Sequence, residues 1–133
     1  MTFRTLLIIK AIVCLGFGLF LLFAPVVLVG LLGTTLNDGG MFTAREYGAA
    51  LIGTLLLTWF ARNVKAADAR GAILLDLLIY DLIGAVTTFL VVLSGVLNAL
   101  GWAIVVVYLF FTLGSGYLLL KEKPFRRAAA TGA

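Results

Sequence analysis

The sequence has 133 residues, of which 63% are hydrophobic and 12% are charged, and its formal net charge is +4. Soluble domains carry roughly 25% charged residues, so this composition leaves too little charge to cover a water-facing surface. The basic residues are scattered rather than clustered with aromatic residues, which argues against a nucleic-acid partner. The composition therefore predicts an integral membrane protein whose surroundings are the lipid bilayer.

Metal and cofactor sites are not expected from the residue types present. The sequence has no histidine and one cysteine, Cys14. The usual ligand sets of zinc, haem and iron–sulfur clusters need several such residues. We therefore predict no metal site and no cofactor.

Four apolar segments are long enough to cross the hydrocarbon as helices, which takes about 20 residues each. In chain order they lie near residues 5–28, 42–61, 71–93 and 97–120. The first is too long for the apolar part of a secretory signal peptide, so we expect it to stay in the membrane. Continuous apolar runs favour helices over barrel strands. The prediction is an all-α fold, a single four-helix membrane bundle over residues 1–133 with a short basic tail at 121–133.

The basic residues predict the orientation of the bundle. Nine of the ten would lie on one side of the four predicted spans: Arg4, Lys10, Arg62, Lys65, Arg70, Lys121, Lys123, Arg126 and Arg127. Only Arg45 lies near the other side. Cytoplasmic segments carry the excess of Lys and Arg, so both termini should be cytoplasmic.

Small residues occur in every predicted span, where they let helices approach closely in lipid. The positions predicted to pack are Gly18, Ala49, Gly53, Gly84 and Gly116, with Arg45 on the same helix face as Ala49 and Gly53. We expect packing within one bundle. The alternative is a face for self-association or for docking on a larger complex.

Charged side chains inside the spans need partners, because they are costly against lipid. Lys10 and Asp76 have similar estimated depths, so we expect them to pair. Asp81 lies near the middle of the third span, with Thr54, Tyr108, Thr112 and Arg45 as candidate partners. Asp76 and Asp81 lie about 140° apart around a helix, so they should not act as a carboxylate pair. Asp81 is either a buried structural contact or a functional residue.

One segment resembles a known group of proteins. The run AREYGAALIGTLLLTWFAR, residues 44–62, opens with Ala-Arg, continues with Gly-Ala and closes with Trp and Arg, and NALGW follows at 98–102. This pattern resembles small bacterial four-span membrane proteins, DoxX-like in the broad sense, most of which lack an assigned activity. The resemblance implies a four-helix bundle in a bacterial cytoplasmic (inner) membrane. It directs attention to Arg45, Gly48, Trp59 and Arg62, and it implies no reaction.

Two functions fit these features. The first is an accessory or scaffold protein that associates with itself or with a membrane-protein partner. The alternative is a small transporter or a binder of a lipophilic ligand, with a polar interior centred on Asp81. No catalytic residue is predicted, because the two serines, Ser94 and Ser115, have no histidine to activate them.

Overall fold

The computed structural model describes residues 1–130, which fold into six α-helices and contain no strand. The helices are α1 (Phe3–Phe23), α2 (Pro25–Leu31), α3 (Asp38–Ala61), α4 (Ala67–Leu93), α5 (Gly101–Glu122) and α6 (Pro124–Ala130). Of the predicted tail, residues 131–133 lie outside the described part of the chain.

The first predicted span differs from the structure, because α1 ends at Phe23 and a separate short helix follows. Pro25 causes the break. A proline disfavours helical angles at the residue before it and has no N–H to donate. Ala24 accordingly leaves the helical region, with φ −136° and ψ 49°. The chain then turns into α2, which ends at Leu31 and is followed by Leu32 as its C-cap and by Gly33 with its φ of +85°.

The four long helices form two antiparallel hairpins, α1 with α3 and α4 with α5. A short connection, residues 94–100, joins the end of α4 to the beginning of α5. A buried apolar cluster joins α1 to the second hairpin: Phe3, Leu6, Leu7, Leu74, Leu77, Phe111 and Leu118. A smaller cluster between α1 and α3 contains Cys14, Leu21 and Leu51.

One end of the bundle is held by a bidentate ion pair between α4 and α5. Arg70 Nη2 lies 2.6 Å from Glu122 Oε2, and Arg70 Cζ lies 4.0 Å from the ring centroid of Phe3. The Phe125 ring of α6 packs on Gly71, where a β-carbon would lie 2.8 Å from Phe125 Cε1. The beginnings of α1 and α4 and the end of α5 therefore lie together.

At the opposite end, Asn98 joins the α4–α5 connection to α2. Its backbone N–H donates to the Leu32 carbonyl at 2.8 Å, and its side-chain amide donates to the Leu31 carbonyl at 2.8 Å. Carbonyls at a helix end have no partner within the helix, so these bonds satisfy them. They also hold α2 beside the second hairpin.

Three helical segments are long and apolar enough to cross a membrane: α1, α4 and the segment Gly101–Arg126, which begins with α5. This indicates an integral membrane protein. The helix α3 has 24 residues but carries Asp38, Arg45 and Glu46 in its first half. The helix α3 is not one of the three segments that are long and apolar enough to cross a membrane.

The helices α1 and α3 approach each other closely at Gly18 and Gly48. A β-carbon on Gly48 would lie 2.7 Å from Leu22 N and 2.9 Å from the Gly18 carbonyl oxygen. Two further predicted positions also face neighbouring helices, Gly84 against the Tyr108 ring and Gly116 near Leu78.

The expectation of packing within the bundle fails at Ala49 and Gly53. Both residues are exposed, and a β-carbon on Gly53 would meet nothing within 4 Å. Gly48 is one position before Ala49, and about 100° of helix rotation per residue turns Ala49 away from α1. Gly48 therefore makes the close contact in α3.

Candidate functional site

The strongest polar feature in the interior is an ion pair between α1 and α4. Lys10 Nζ lies 2.5 Å from Asp81 Oδ1, and the two side chains are 4% and 0% exposed. The Lys10 ammonium also lies 4.5 Å from the ring centroid of Phe111 and 5.0 Å from that of Tyr80. Neither lipid nor water stabilises a charge at this buried position, so the two opposite charges stabilise each other.

The predicted Lys10–Asp76 pair is wrong. Asp76 is exposed on α4, whereas Asp81 points inward to Lys10. Five residues separate the two aspartates, which places them about 140° apart around the helix. Asp76 and Lys10 have similar estimated depths in the membrane. Asp76 nevertheless lies on an exposed face of α4, so it does not meet Lys10.

Three tyrosines, one each from α3, α4 and α5, bring their hydroxyls together beside this pair. Tyr47 hydrogen-bonds with Tyr108 at an O–O distance of 2.8 Å, and Tyr47 also hydrogen-bonds with Tyr80. The Tyr80 and Tyr108 rings pack edge to face, with centroids 6.3 Å apart. Gly84 makes room for Tyr108, because a β-carbon there would lie 2.5 Å from Tyr108 Cε1.

We call Lys10, Tyr47, Tyr80, Asp81 and Tyr108 the polar cluster. Sequence reasoning identified Lys10, Asp81 and Tyr108 but missed the other two members. The position of Tyr80, in the middle of α4 and next to Asp81, is the signal that could have found it.

Among the described residues Asp81 hydrogen-bonds only with Lys10, so none of its four predicted partners is confirmed, and the Tyr108 hydroxyl bonds with Tyr47 instead. Thr112 donates its hydroxyl to the Tyr108 carbonyl of its own helix at 2.9 Å, and Thr54 does the same to Ala50 at 3.1 Å. Both bonds are the local back-bonding that threonine commonly makes in helices. Arg45 is exposed.

A cavity of about 240 Å³ lies beside the polar cluster. Apart from the cluster, its walls are mostly apolar and come from α1, α2, α3, α4, α5 and the connections between helices. The lining residues outside the cluster are Val13, Cys14, Phe17, Leu21, Leu28, Val29, Leu32, Leu51, Thr88, Leu97, Ile104 and Val107. The cavity thus combines an apolar wall with one concentrated set of polar groups.

The polar cluster is not fully satisfied by the protein. Asp81 Oδ2 is buried and accepts no hydrogen bond from any described residue. Most buried polar atoms in proteins have a partner, so such an atom calls for an explanation. Asp81 Oδ2 is therefore a buried acceptor without a partner among the described residues.

The described residues bring no three His, Cys, Asp or Glu side chains together as metal ligands. Asp81 is the only carboxylate among the residues that line the cavity, and its Oδ1 is bound to Lys10. The chemistry that this arrangement offers is hydrogen bonding and apolar contact.

The chain was compared with protein-family models, with curated proteins and with solved structures, and none of the three comparisons finds a match. The resemblance to small bacterial four-span proteins therefore stays a prediction from the sequence.

Proposed function

We propose that this protein binds a small lipophilic molecule in the cavity beside the polar cluster. The observation that carries the proposal is a mostly apolar cavity of about 240 Å³ with a few polar groups gathered at one place. Small-molecule sites have this composition, since apolar walls provide affinity and a few polar groups fix orientation. Binding is the step that a ligand-binding protein and a small transporter share.

The volume of the cavity indicates which apolar probe it can hold. A dry engineered cavity of about 150 Å³ binds benzene. A cavity of about 240 Å³ has room for an aromatic ring with a short chain, or for a similar aliphatic group. Pentylbenzene is a suitable apolar probe.

A cavity-filling substitution tests the proposal. Pentylbenzene should partition more strongly into lipid nanodiscs that contain the wild-type protein than into nanodiscs that contain Val107→Phe, because the larger ring occupies the cavity that Val107 lines. Headspace gas chromatography measures the free concentration of the probe. Val106→Phe is the matched control, since Val106 is 63% exposed on the same helix. Equal partition into all three preparations would overturn the proposal.

We further propose that all four long helices cross a bacterial cytoplasmic membrane with both termini in the cytoplasm. Support comes from the end of the bundle that holds Phe3, Arg70 and Glu122, because most of the basic residues lie in segments near that end. A phosphatase reporter that is active only outside the cytoplasm should be inactive at the C-terminus and active after Thr35. The opposite pattern would contradict this topology.

Self-association through α3 is a second candidate function. The residues Arg45, Ala49 and Gly53 follow one another at intervals of four, and all three are exposed. Two of them, Ala49 and Gly53, are small, and small residues at this spacing allow a second helix to approach closely in lipid. Gly53→Leu should then reduce the cross-linked or native-mass dimer at least severalfold without unfolding the monomer. An unchanged oligomeric state would remove this candidate.

A further inference from the structure

We propose that an anionic phospholipid binds through its headgroup phosphate in a basic cleft at the end of the bundle that holds Arg70 and Glu122. This cleft is separate from the cavity beside the polar cluster, so its occupant does not depend on the ligand of that cavity. The charge of the cleft, its position in the bundle and the apolar surface beside it all suit such a lipid.

The cleft has a volume of about 470 Å³ and lies between the beginning of α4 and the end of α5. Its lining residues are Lys65, Ala67, Arg70, Lys121, Glu122 and Pro124. Three basic side chains and one acidic side chain give the cleft a net charge of +2. An anion is therefore the kind of ligand that its charge favours.

The positive charge that is available to a ligand comes from the two lysines. Arg70 and Glu122 offset each other in their ion pair, in which Arg70 Nε lies 3.0 Å from Glu122 Oε2 and Arg70 Nη2 lies 2.7 Å from Oε1. Lys65 and Lys121 are exposed, and neither forms an ion pair with a described residue. Asp68 is exposed and does not line the cleft. Two like charges at one cleft repel each other, so a bound anion would stabilise both.

A phosphate group suits these two side chains. The lysine ammonium is a compact charge with several hydrogen-bond donors, and lysine is a common ligand of phosphate. The phosphodiester of a lipid headgroup has unbridged oxygens that share a negative charge, so each lysine can donate to one of them. Basic pockets between membrane helices bind the headgroups of anionic lipids in this way.

The position of the cleft favours a lipid over a soluble phosphate. Lys121 lies near the end of the apolar segment Gly101–Arg126, and its Nζ lies 5.4 Å from the ring centroid of Tyr117, one helical turn earlier. Tyrosine is enriched at the ends of membrane spans, at the level of the headgroups. The phosphate of a neighbouring lipid is therefore expected at the depth of the cleft.

An exposed apolar surface of α5 continues from the cleft along the helix. Leu113, Tyr117 and Lys121 follow one another at intervals of four, so they lie on one face. Leu113 and Tyr117 are 70% and 50% exposed, and Leu120 beside them is 78% exposed. These side chains can contact the acyl chain of a lipid whose phosphate lies at Lys121. A soluble phosphate would make no contact with this surface.

A titration with two phospholipids tests the proposal. The protein in an uncharged detergent is mixed with dioleoylphosphatidylglycerol, which is anionic, or with dioleoylphosphatidylcholine, which has the same acyl chains and phosphate but no net charge. Native mass spectrometry measures the lipid bound to each chain. The wild type should bind phosphatidylglycerol about tenfold more tightly, and Lys65→Gln, Lys121→Gln together should remove most of this preference, since each lysine contributes about a factor of five.

The matched control is the double variant Arg4→Gln, Arg126→Gln. It removes the same amount of charge from exposed positions at the same end of the bundle but outside the cleft, so it should keep the preference. Equal losses in the two double variants, or equal binding of the two lipids by the wild type, would overturn the proposal. Inorganic phosphate in large excess should leave the phosphatidylglycerol bound. Its complete displacement would identify a soluble phosphate as the ligand and overturn the assignment to a lipid.

Discussion

Replacing Asp81 alone with leucine should lower the free energy of unfolding by about 3–5 kcal/mol, whereas the double variant Lys10→Met, Asp81→Leu should be close to the wild type. In the single variant the Lys10 ammonium keeps its buried position and loses the carboxylate that lies 2.5 Å away. In the double variant both charges are replaced by apolar side chains of similar size. Removing both members of a buried ion pair is often neutral or stabilising, while removing one is strongly destabilising.

The measurement is reversible unfolding in mild detergent, arranged as a double-mutant cycle with Lys10→Met as the second single variant. A coupling energy of several kcal/mol between the two sites is the expected result. Asp76→Leu is the control on the same helix, because Asp76 is exposed and its loss should have a small effect. Single variants as stable as the wild type would contradict a paired, buried Lys10–Asp81 site.

Gly48→Leu should destabilise the protein by about 3 kcal/mol or more, while Gly53→Leu should change its stability little. The β-carbon of a residue at position 48 would lie 2.7 Å from Leu22 N and 3.1 Å from Leu21 C. Both contacts are with backbone atoms, so α1 and α3 would have to separate. A β-carbon at position 53 meets nothing within 4 Å.

The same unfolding assay checks this pair of variants, which share helix, substitution and native residue. The expected difference comes only from which face of α3 each glycine occupies. Equal destabilisation of the two variants, or a larger effect at Gly53, would mean that α1 and α3 do not pack at Gly18 and Gly48.

The helical fold and the membrane-crossing character follow from composition and from the length of the apolar runs. The predicted helix boundaries are less accurate where a single residue determines the end of a helix. Pro25 ends α1 at Phe23 and begins α2, so part of the first predicted span belongs to another helix. The α2 helix then supplies Leu28 and Val29 to the cavity wall.

Lys10 and Asp81 were both recognised from the sequence as buried polar candidates, but they were not paired with each other. Estimated depth favoured Asp76 as the partner of Lys10. The face of α4 that meets α1 decides the pairing, and it is set by the tertiary packing of Leu74 and Leu77 in the core cluster. The side chain of Lys10 is long and flexible, so its ammonium can reach an acid at a different depth.

The tyrosine arrangement could not be derived from the sequence, because Tyr47, Tyr80 and Tyr108 come from three helices of both hairpins. Their meeting depends on how the α1–α3 hairpin lies against the α4–α5 hairpin. The same packing creates the cavity. Local patterns in each helix do not specify that arrangement.

Intact-complex mass spectrometry of the protein extracted gently from its native membrane tests the proposed ligand-binding function most directly. We expect one small lipophilic molecule per chain in the wild type and in the Val106→Phe control, and its loss in Val107→Phe, which fills the cavity. A chain that carries no small molecule, or one that Val107→Phe retains unchanged, would contradict ligand binding in the cavity beside Lys10 and Asp81.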